Sequence, residues 1–216
     1  MSYLTNLFNE SISALKRRKN LIMLLVLAHT VFFILGQWMV AQKIPGALFL
    51  RTELYKMIQD MPFLKPLTGI LADSLSLKII YTLFVNLIFG AFLSTTLTGI
   101  VFFLPYVIAV WRSFVMGILI YGLPLTPLKL VIFYVTLILE FGGYSISSAT
   151  GTDMGLSLLW PLRKGTTSRK HSFLIAFQDS MRLYLLVFIL LLIGAIWEMG
   201  WLHYLGPIVT TEMLKI

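Results

Sequence analysis

Residues 79–111 read IIYTLFVNLIFGAFLSTTLTGIVFFLPYVIAVW and contain no charged side chain. A single helix of this length would extend about 50 Å, whereas the hydrocarbon core of a bilayer is about 30 Å thick. The stretch is therefore too long for one upright span, and the polar group from Ser94 to Gly99 predicts where it divides. We expect two membrane-spanning helices, at about 79–97 and 100–122, joined by a tight cytoplasmic turn.

The composition of the whole chain also indicates an integral membrane protein. The 216 residues are 58% hydrophobic and 12% charged, whereas soluble domains are about 45–50% apolar and about 25% charged. At about 20 residues per span, the apolar stretches predict about five transmembrane helices. We expect an all-α polytopic transmembrane helix bundle in a single domain, residues 1–216, with spans at about 21–41, 79–97, 100–122, 127–149 and 183–203.

Amphipathic segments and basic clusters predict how the chain is oriented. Residues 1–20 carry apolar side chains at helical spacing, which predicts a cytoplasmic amphipathic helix. Residues 43–78 form a long outer loop whose middle predicts a short helix lying on the membrane surface. The basic clusters at 16–19 and within 151–171 favour a cytoplasmic location by the positive-inside rule. The N-terminus of this multi-pass protein is therefore predicted to be cytoplasmic, and the core helices to occupy 79–151.

Two charged residues within the core helices predict a buried polar centre. Arg112 and Glu140 lie in the third and fourth spans, where a charge costs about 2.5–3.5 kcal/mol on insertion scales. The two spans are sequential and antiparallel, so the side chains should lie about 4.5 Å apart along the helix axis. We predict a hydrogen-bonded ion pair, either purely structural or part of an ion, proton or substrate path. Asn86 and His29 are candidates to join this centre.

Small residues at helical spacing form two stripes on the core helices. In lipid, small side chains let two helix backbones approach closely, so both stripes are predicted helix-packing sites. They exceed what one bundle needs, which predicts self-association as a homodimer, the commonest closed assembly. The stripes comprise Gly143, Ser147 and Gly151 on the fourth span, and Ala91, Thr95 and Gly99 on the second.

Several classes of function lack the residues that they require. The chain has no cysteine, which excludes disulfides, thiolate metal sites and a thiol nucleophile. Its three histidines form no HExxH pattern, and neither a G-x-S-x-G elbow nor a glycine-rich phosphate loop occurs. We therefore predict no catalytic residue, no metal site and no cofactor. The net charge of +8 is typical of loops that face anionic lipid, and we expect no nucleic-acid partner.

One further pattern spans about 80–160. It consists of a helix with an asparagine, a glycine-containing turn, a third helix that ends in glycine and a fourth helix centred on a glutamate. The residues concerned are Phe84 to Asn86, Gly99, Gly117, Glu140, Gly151 and Gly155. This order resembles the stage II sporulation protein M family of small polytopic membrane proteins. The chain departs from the family at Thr136 and Leu137, where members carry His-Gly, and at Arg112 and Ser113, where they carry Asn-Gly.

The resemblance implies a bacterial or archaeal cell membrane. Family roles include recruiting proteins that remodel the cell wall, and accompanying the production, export or immunity of circular bacteriocins. Our leading hypothesis is a non-enzymatic protein that scaffolds or recruits membrane protein partners. The alternative is a transporter or exporter component that handles protons or an amphiphilic substrate, and a third is an intramembrane enzyme. A sealed ion pair would favour the scaffold, whereas a cavity that reaches Glu140 would favour transport.

Overall fold

The computed structural model describes residues 3–59 and 61–206, and every regular element within these ranges is helical. The helix that begins at Leu75 is an α-helix as far as Phe84 and continues as a π-helix, Val85–Leu97, and a 3-10 turn, Thr98–Ile100. A second 3-10 turn, Pro161–Lys164, precedes the last helix. The α-helices are α1 Tyr3–Arg17, α2 Lys19–Ala41, α3 Pro45–Gln59, α4 Lys65–Thr68, α5 Leu75–Phe84, α6 Leu104–Ile120, α7 Pro127–Leu159 and α8 Arg169–Leu205.

Within the described residues, four helices are long and apolar enough to cross a membrane: α2, the helix from Leu75 to Ile100, α7 and α8. This confirms the predicted all-α helical bundle and identifies a membrane protein. The fifth predicted span, about 100–122, is the shorter apolar helix α6, which has 17 residues. At about 1.5 Å per residue, α6 is about 25 Å long, somewhat less than the hydrocarbon core of a bilayer.

The division of the long uncharged stretch lies a few residues later than predicted. The helix that begins at Leu75 ends at Ile100, and α6 begins at Leu104 after a turn. Pro105 lies in the first turn of α6, where its missing N–H and fixed φ favour a helix start. The hydroxyl of Thr98 bonds the carbonyl of Ser94, which satisfies a backbone acceptor inside the helix. The predicted turn at Ser94 to Gly99 is therefore helical.

The last two spans are longer than their apolar runs. Helix α7 continues to Leu159 rather than ending near 149, and α8 begins at Arg169 rather than near 183. Every residue of α7 from Gly143 to Gly155 is buried, although many of them are Ser, Thr or Gly. Packing against neighbouring helices, rather than burial in lipid, therefore extends α7 beyond its apolar run. Both extensions carry acidic side chains to the same end of the bundle.

Two pairs of helices pack closely. Helix α2 packs on α6, where Gly36 faces the backbone of Phe114 and Gly117 faces the carbonyl of Phe33. Helix α7 packs on α8, and the buried side chains at this contact include Tyr144. The other buried members of the cluster around Tyr144 are Ala14, Ala91, Ile146, Leu183, Val187 and Leu191. Helices α6 and α7, although consecutive in the chain, share a smaller contact.

The predicted amphipathic segments dock onto the bundle. Helix α1 packs along α8, where Ser11 donates a hydrogen bond of 2.7 Å to the carbonyl of Arg182. Helix α3 packs against the far end of α6, where Tyr55 donates to the carbonyl of Leu119 at 2.7 Å and Arg51 to that of Tyr121 at 2.7 Å. The 43–78 segment is therefore fastened to α6 by side-chain hydrogen bonds.

Candidate functional site

A polar cavity of about 350 Å³ lies among the π-helical segment, α6 and α7. Four of its lining residues are polar: Asn86, Arg112, Glu140 and Tyr144. This volume is at the lower end of the range for small-molecule sites, which are mostly apolar with a few convergent polar groups. The remaining walls fit that description and are formed by Val85, Phe89, Gly90, Met116 and Phe141.

Asn86 and Glu140 connect two helices across the cavity. The Nδ2 atom of Asn86 donates a hydrogen bond of 2.6 Å to Oε1 of Glu140. A hydrogen bond to a carboxylate is stronger than one between neutral groups. Asn86 therefore is the direct partner of Glu140.

Arg112 binds the π-helical segment rather than Glu140. Its Nη2 atom donates to the carbonyl of Gly90 and to Oγ of Ser94, both at 3.0 Å. Its guanidinium carbon lies 4.0 Å from the centre of the Tyr144 ring, a cation–π contact. The predicted Arg112–Glu140 ion pair is therefore wrong, because no salt bridge joins these two described side chains. Helix α6 packs chiefly on α2, and the wide π-helical turns offer Arg112 nearer acceptors.

Gly90 lets Tyr144 approach the π-helical segment. A Cβ atom at this position would lie 2.8 Å from the Tyr144 hydroxyl and 2.9 Å from its ring. The tyrosine could not then keep its place beneath the Arg112 guanidinium. Stretches of π-helix occur frequently at functional sites, and this one supplies both Asn86 and the carbonyl that binds Arg112.

His29 is not a member of this cavity, contrary to the prediction. Its Nδ1 atom lies 2.8 Å from the carbonyl of Leu25 and 3.3 Å from Oγ of Ser145. Its ring packs on Phe141 at 4.6 Å between centroids, so Phe141 stands next to both the histidine and the cavity. His29 is almost fully buried in the contact of α2 with α7, which explains why it does not line the polar cavity.

The two small-residue stripes lie partly against each other. Oγ1 of Thr95 lies 2.7 Å from Oγ of Ser147, and a Cβ atom at Gly99 would overlap the backbone of Gly151. Gly143 instead faces α8, and Ala91 is buried in the cluster around Tyr144. These small residues are occupied inside one chain, so they supply no argument for the homodimer, which stays a prediction.

Glu198 is a third membrane-level charge that the sequence analysis did not single out. It lies on α8, and its charge and that of Glu140 act on each other. The signal that could have found it was the one used for Arg112 and Glu140, a lone charge within an apolar run. Glu140 and Glu198 therefore put two carboxyl groups on the α7–α8 side of the cavity region.

A second polar site was also missed, at the end of the bundle where α1 meets α2. Arg18, the residue between these helices, binds Asp153 of α7 at 2.6 Å and Asp179 of α8 at 3.0 Å. Lys164 binds the same oxygen of Asp153 at 2.7 Å. The basic residues here had been interpreted only as topology signals, and the two aspartates lie 135 and 161 residues after Arg18 in the chain. Their rarity, nine acidic residues against 17 basic ones, was the available signal.

The described residues contain no group of three or more His, Asp or Glu side chains that could hold a metal ion. No family model matches the chain, and no curated protein or solved structure matches it. The resemblance to the stage II sporulation protein M family therefore stays a prediction.

Proposed function

We propose that this membrane protein is a transporter or exporter component that binds an amphiphilic molecule in the cavity beside Glu140. The observation that carries this proposal is the cavity of about 350 Å³ lined by Asn86, Arg112 and Glu140. A scaffold needs only a sealed ion pair at this depth. Here the cation and the carboxyl group line one cavity but hydrogen-bond to different partners, so each keeps capacity to bind a further polar group.

The same geometry supports a division of roles within the site. Arg112 presents a cation fixed by Gly90, Ser94 and the Tyr144 ring, which suits an anionic or hydroxyl-bearing head group. The apolar walls, among them Phe89 and Met116, suit the hydrocarbon part of the same molecule. Glu140 is the group that could exchange a proton with water or substrate, because carboxyls within membranes commonly serve as proton relays.

Thiol accessibility in proteoliposomes tests whether water reaches the cavity. The chain has no cysteine, so a single Met116→Cys reports on the cavity wall. The matched control is Ala149→Cys, a fully buried position on α7. We expect a membrane-impermeant thiol reagent to modify Met116→Cys at least tenfold faster than the control. Equal, slow modification from both sides of the membrane would contradict the transport proposal.

A proton-flux measurement then tests the role of Glu140. Proteoliposomes that contain a trapped pH-sensitive dye receive an imposed pH gradient, with and without added short-chain amphiphiles. We expect Glu140→Gln to abolish any protein-dependent flux. Glu53→Gln, which changes an exposed carboxylate on α3, should leave the flux unchanged.

The scaffold hypothesis remains a second proposal because the outer segment exposes large apolar side chains. Phe49 is 70% exposed, Met57 62% and Ile70 90%, and these could contact a partner protein. A photoreactive amino acid at Phe49, with Leu162 as an equally exposed control at the other end, tests this in native membranes. A discrete protein adduct at Phe49 alone would support recruitment, and lipid adducts at both sites would contradict it.

We also propose that the protein resides in a bacterial or archaeal cell membrane with its N-terminus in the cytoplasm and without enzymatic activity. The support for this location is the positive-inside bias of residues 16–19 and 163–170, together with the family resemblance. Membrane protein partners and a homodimer belong to the same set of proposals. Native mass measurement in mild detergent and in lipid nanodiscs tests the dimer, and monomers in both would exclude it.

A further inference from the structure

A second cavity, of about 590 Å³, lies at the end of the bundle that contains the α1–α2 bend. It is bounded by that bend, the last turns of α7, the 3-10 turn Pro161–Lys164 and the start of α8. Its charged lining residues are Arg17, Arg18, Asp153, Arg163, Lys164 and Asp179. Four cations and two carboxylates therefore face one space, which leaves an excess of two positive charges.

The two carboxylates are already shared among several cations. Asp179 accepts hydrogen bonds from Arg17 at 2.7 Å, from Arg18 at 3.0 Å and from Arg182 at 3.0 Å. Asp153 accepts from Arg18 and from Lys164. Both aspartates are thus shared among several cations, each of which would be better neutralised by a further anion.

Arg18 makes the positive charge of this cavity permanent and fixed. Its side chain is only 3% exposed, and aspartates from two different helices hold its guanidinium. An arginine stays charged at any physiological pH. Because Asp153 and Asp179 both bind Arg18, they leave the charges of the other lining cations in excess.

Arg163 is the cation of this cavity that is available to bind a ligand. It lines the cavity, its side chain is exposed, and it forms no ion pair with any other described residue. Lys164, next in the chain, uses its ammonium on Asp153 but retains further N–H donors. Guanidinium and ammonium groups that line one cavity can both donate to the oxygens of a phosphate group.

We propose that this cavity binds a phosphate group, carried either by an anionic phospholipid or by a soluble phosphate compound. The lipid source fits because Leu21, at the start of the apolar part of α2, also lines the cavity. Nearby Trp160 and Leu162 are exposed, as expected for side chains at the membrane interface. This site lies apart from the cavity beside Glu140, so it does not depend on the transport proposal.

Lipid binding to the full chain tests the proposal. The delipidated protein is titrated with phosphatidylglycerol and with phosphatidylcholine of the same acyl chains, and bound lipid is counted by native mass spectrometry. Inorganic phosphate and pyrophosphate form the soluble arm, measured as shifts in melting temperature. Saturable binding of phosphatidylglycerol identifies an anionic phospholipid as the ligand. Saturable stabilisation by the soluble anions alone identifies a soluble phosphate compound.

Arg163→Gln is the decisive variant, because Arg163 is exposed and supports no contact that folding needs. We expect it to weaken binding of the phosphate ligand about fivefold, the effect of one basic residue near an anionic surface. Arg169→Gln changes the same charge at another exposed position and should bind as the wild type does. Equal binding by wild type, Arg163→Gln and Arg169→Gln would overturn the proposal, as would the absence of binding by every phosphate ligand.

Discussion

Arg18 lies at the bend between α1 and α2, where a backbone with φ −111° and ψ 10° separates the two helices. The bend directs its guanidinium inward, towards Asp153 and Asp179. Because these aspartates belong to α7 and α8, one side chain connects the N-terminal segment to both long helices. A buried guanidinium such as that of Arg18 is compatible with a stable fold only when carboxylates pair with it.

Replacement of Arg18 should therefore destabilise the protein. Loss of one member of a buried ion pair costs about 3–5 kcal/mol. We expect Arg18→Met to lower the free energy of unfolding by about 3 kcal/mol, the lower end of this range. The loss is limited because Arg17, Arg182 and Lys164 still neutralise the aspartates. The measurement is the free energy of unfolding in mild detergent. Arg169→Met, at an exposed position, should change it by less than about 0.5 kcal/mol.

The partners in the polar cavity predict which pairs of residues are energetically coupled. Asn86 contacts Glu140 directly, whereas Arg112 contacts Gly90, Ser94 and Tyr144. A double-mutant cycle on Asn86→Ala and Glu140→Ala should give a coupling of about 1 kcal/mol in unfolding free energy. The cycle on Arg112→Ala and Glu140→Ala should give less. A larger coupling between Arg112 and Glu140 than between Asn86 and Glu140 would instead support the ion pair that the sequence predicted.

At the scale of elements, the contact of α7 with the π-helical segment depends on backbone proximity. Gly151 faces the carbonyl of Thr95 and the backbone of Thr96, and Gly155 faces the carbonyl of Gly99. Hydroxyl groups complete this contact, since Oγ1 of Thr96 donates to the carbonyl of Ser147 at 3.0 Å. Such close approach lets helices associate in lipid, where apolar burial supplies little driving force.

Gly151→Ala should break this contact. The added Cβ atom would lie 2.9 Å from Cα of Thr96, and the backbone there cannot move without shifting the helix. We expect a loss of about 1–3 kcal/mol, as for other overpacked sites. Gly142→Ala on the same helix is the matched control, because its nearest neighbour would be a side-chain carbon of Leu190 at 3.5 Å. It should be neutral or stabilising by up to about 1 kcal/mol, since alanine favours helix. Equal melting temperatures for the two variants would contradict the packing argument.

At the scale of the whole molecule, charge is unevenly divided between the two ends. The end with the α1–α2 bend collects Arg17, Arg18, Arg163 and Lys164 around two aspartates. The opposite end carries α3, whose Lys56 pairs locally with Glu53 at 2.7 Å. Basic residues beside spans favour the cytoplasmic side, so this uneven charge supports the proposed orientation.

Single-cysteine labelling in intact cells tests this orientation. We expect an impermeant reagent to label Thr52→Cys on α3 from outside, and Thr167→Cys only after the membrane is opened. Both positions are exposed, and no natural cysteine interferes. Labelling of Thr167→Cys in intact cells would invert the predicted topology.

The apolar runs by themselves determined that the chain is an all-α membrane protein, since length and hydropathy suffice to specify a span. They also placed Asn86, Arg112 and Glu140 at membrane depth, because lone polar or charged side chains in apolar runs are visible without a structure. Helix ends were less predictable: α7 reaches Leu159 because its polar last turns pack on neighbouring helices.

Which polar groups meet was decided only by the tertiary structure. Arg112 was expected to meet Glu140 because their helices are consecutive, yet α6 packs chiefly on α2 and the π-helical segment captures the guanidinium. Arg18 likewise meets Asp153 and Asp179, although more than a hundred residues of chain separate Arg18 from Asp153. Hydropathy predicts the depth of a residue along a helix but not which face of the helix contacts which neighbour. The pairing of helix faces depends on the close approach of two backbones at glycines such as Gly99 and Gly151.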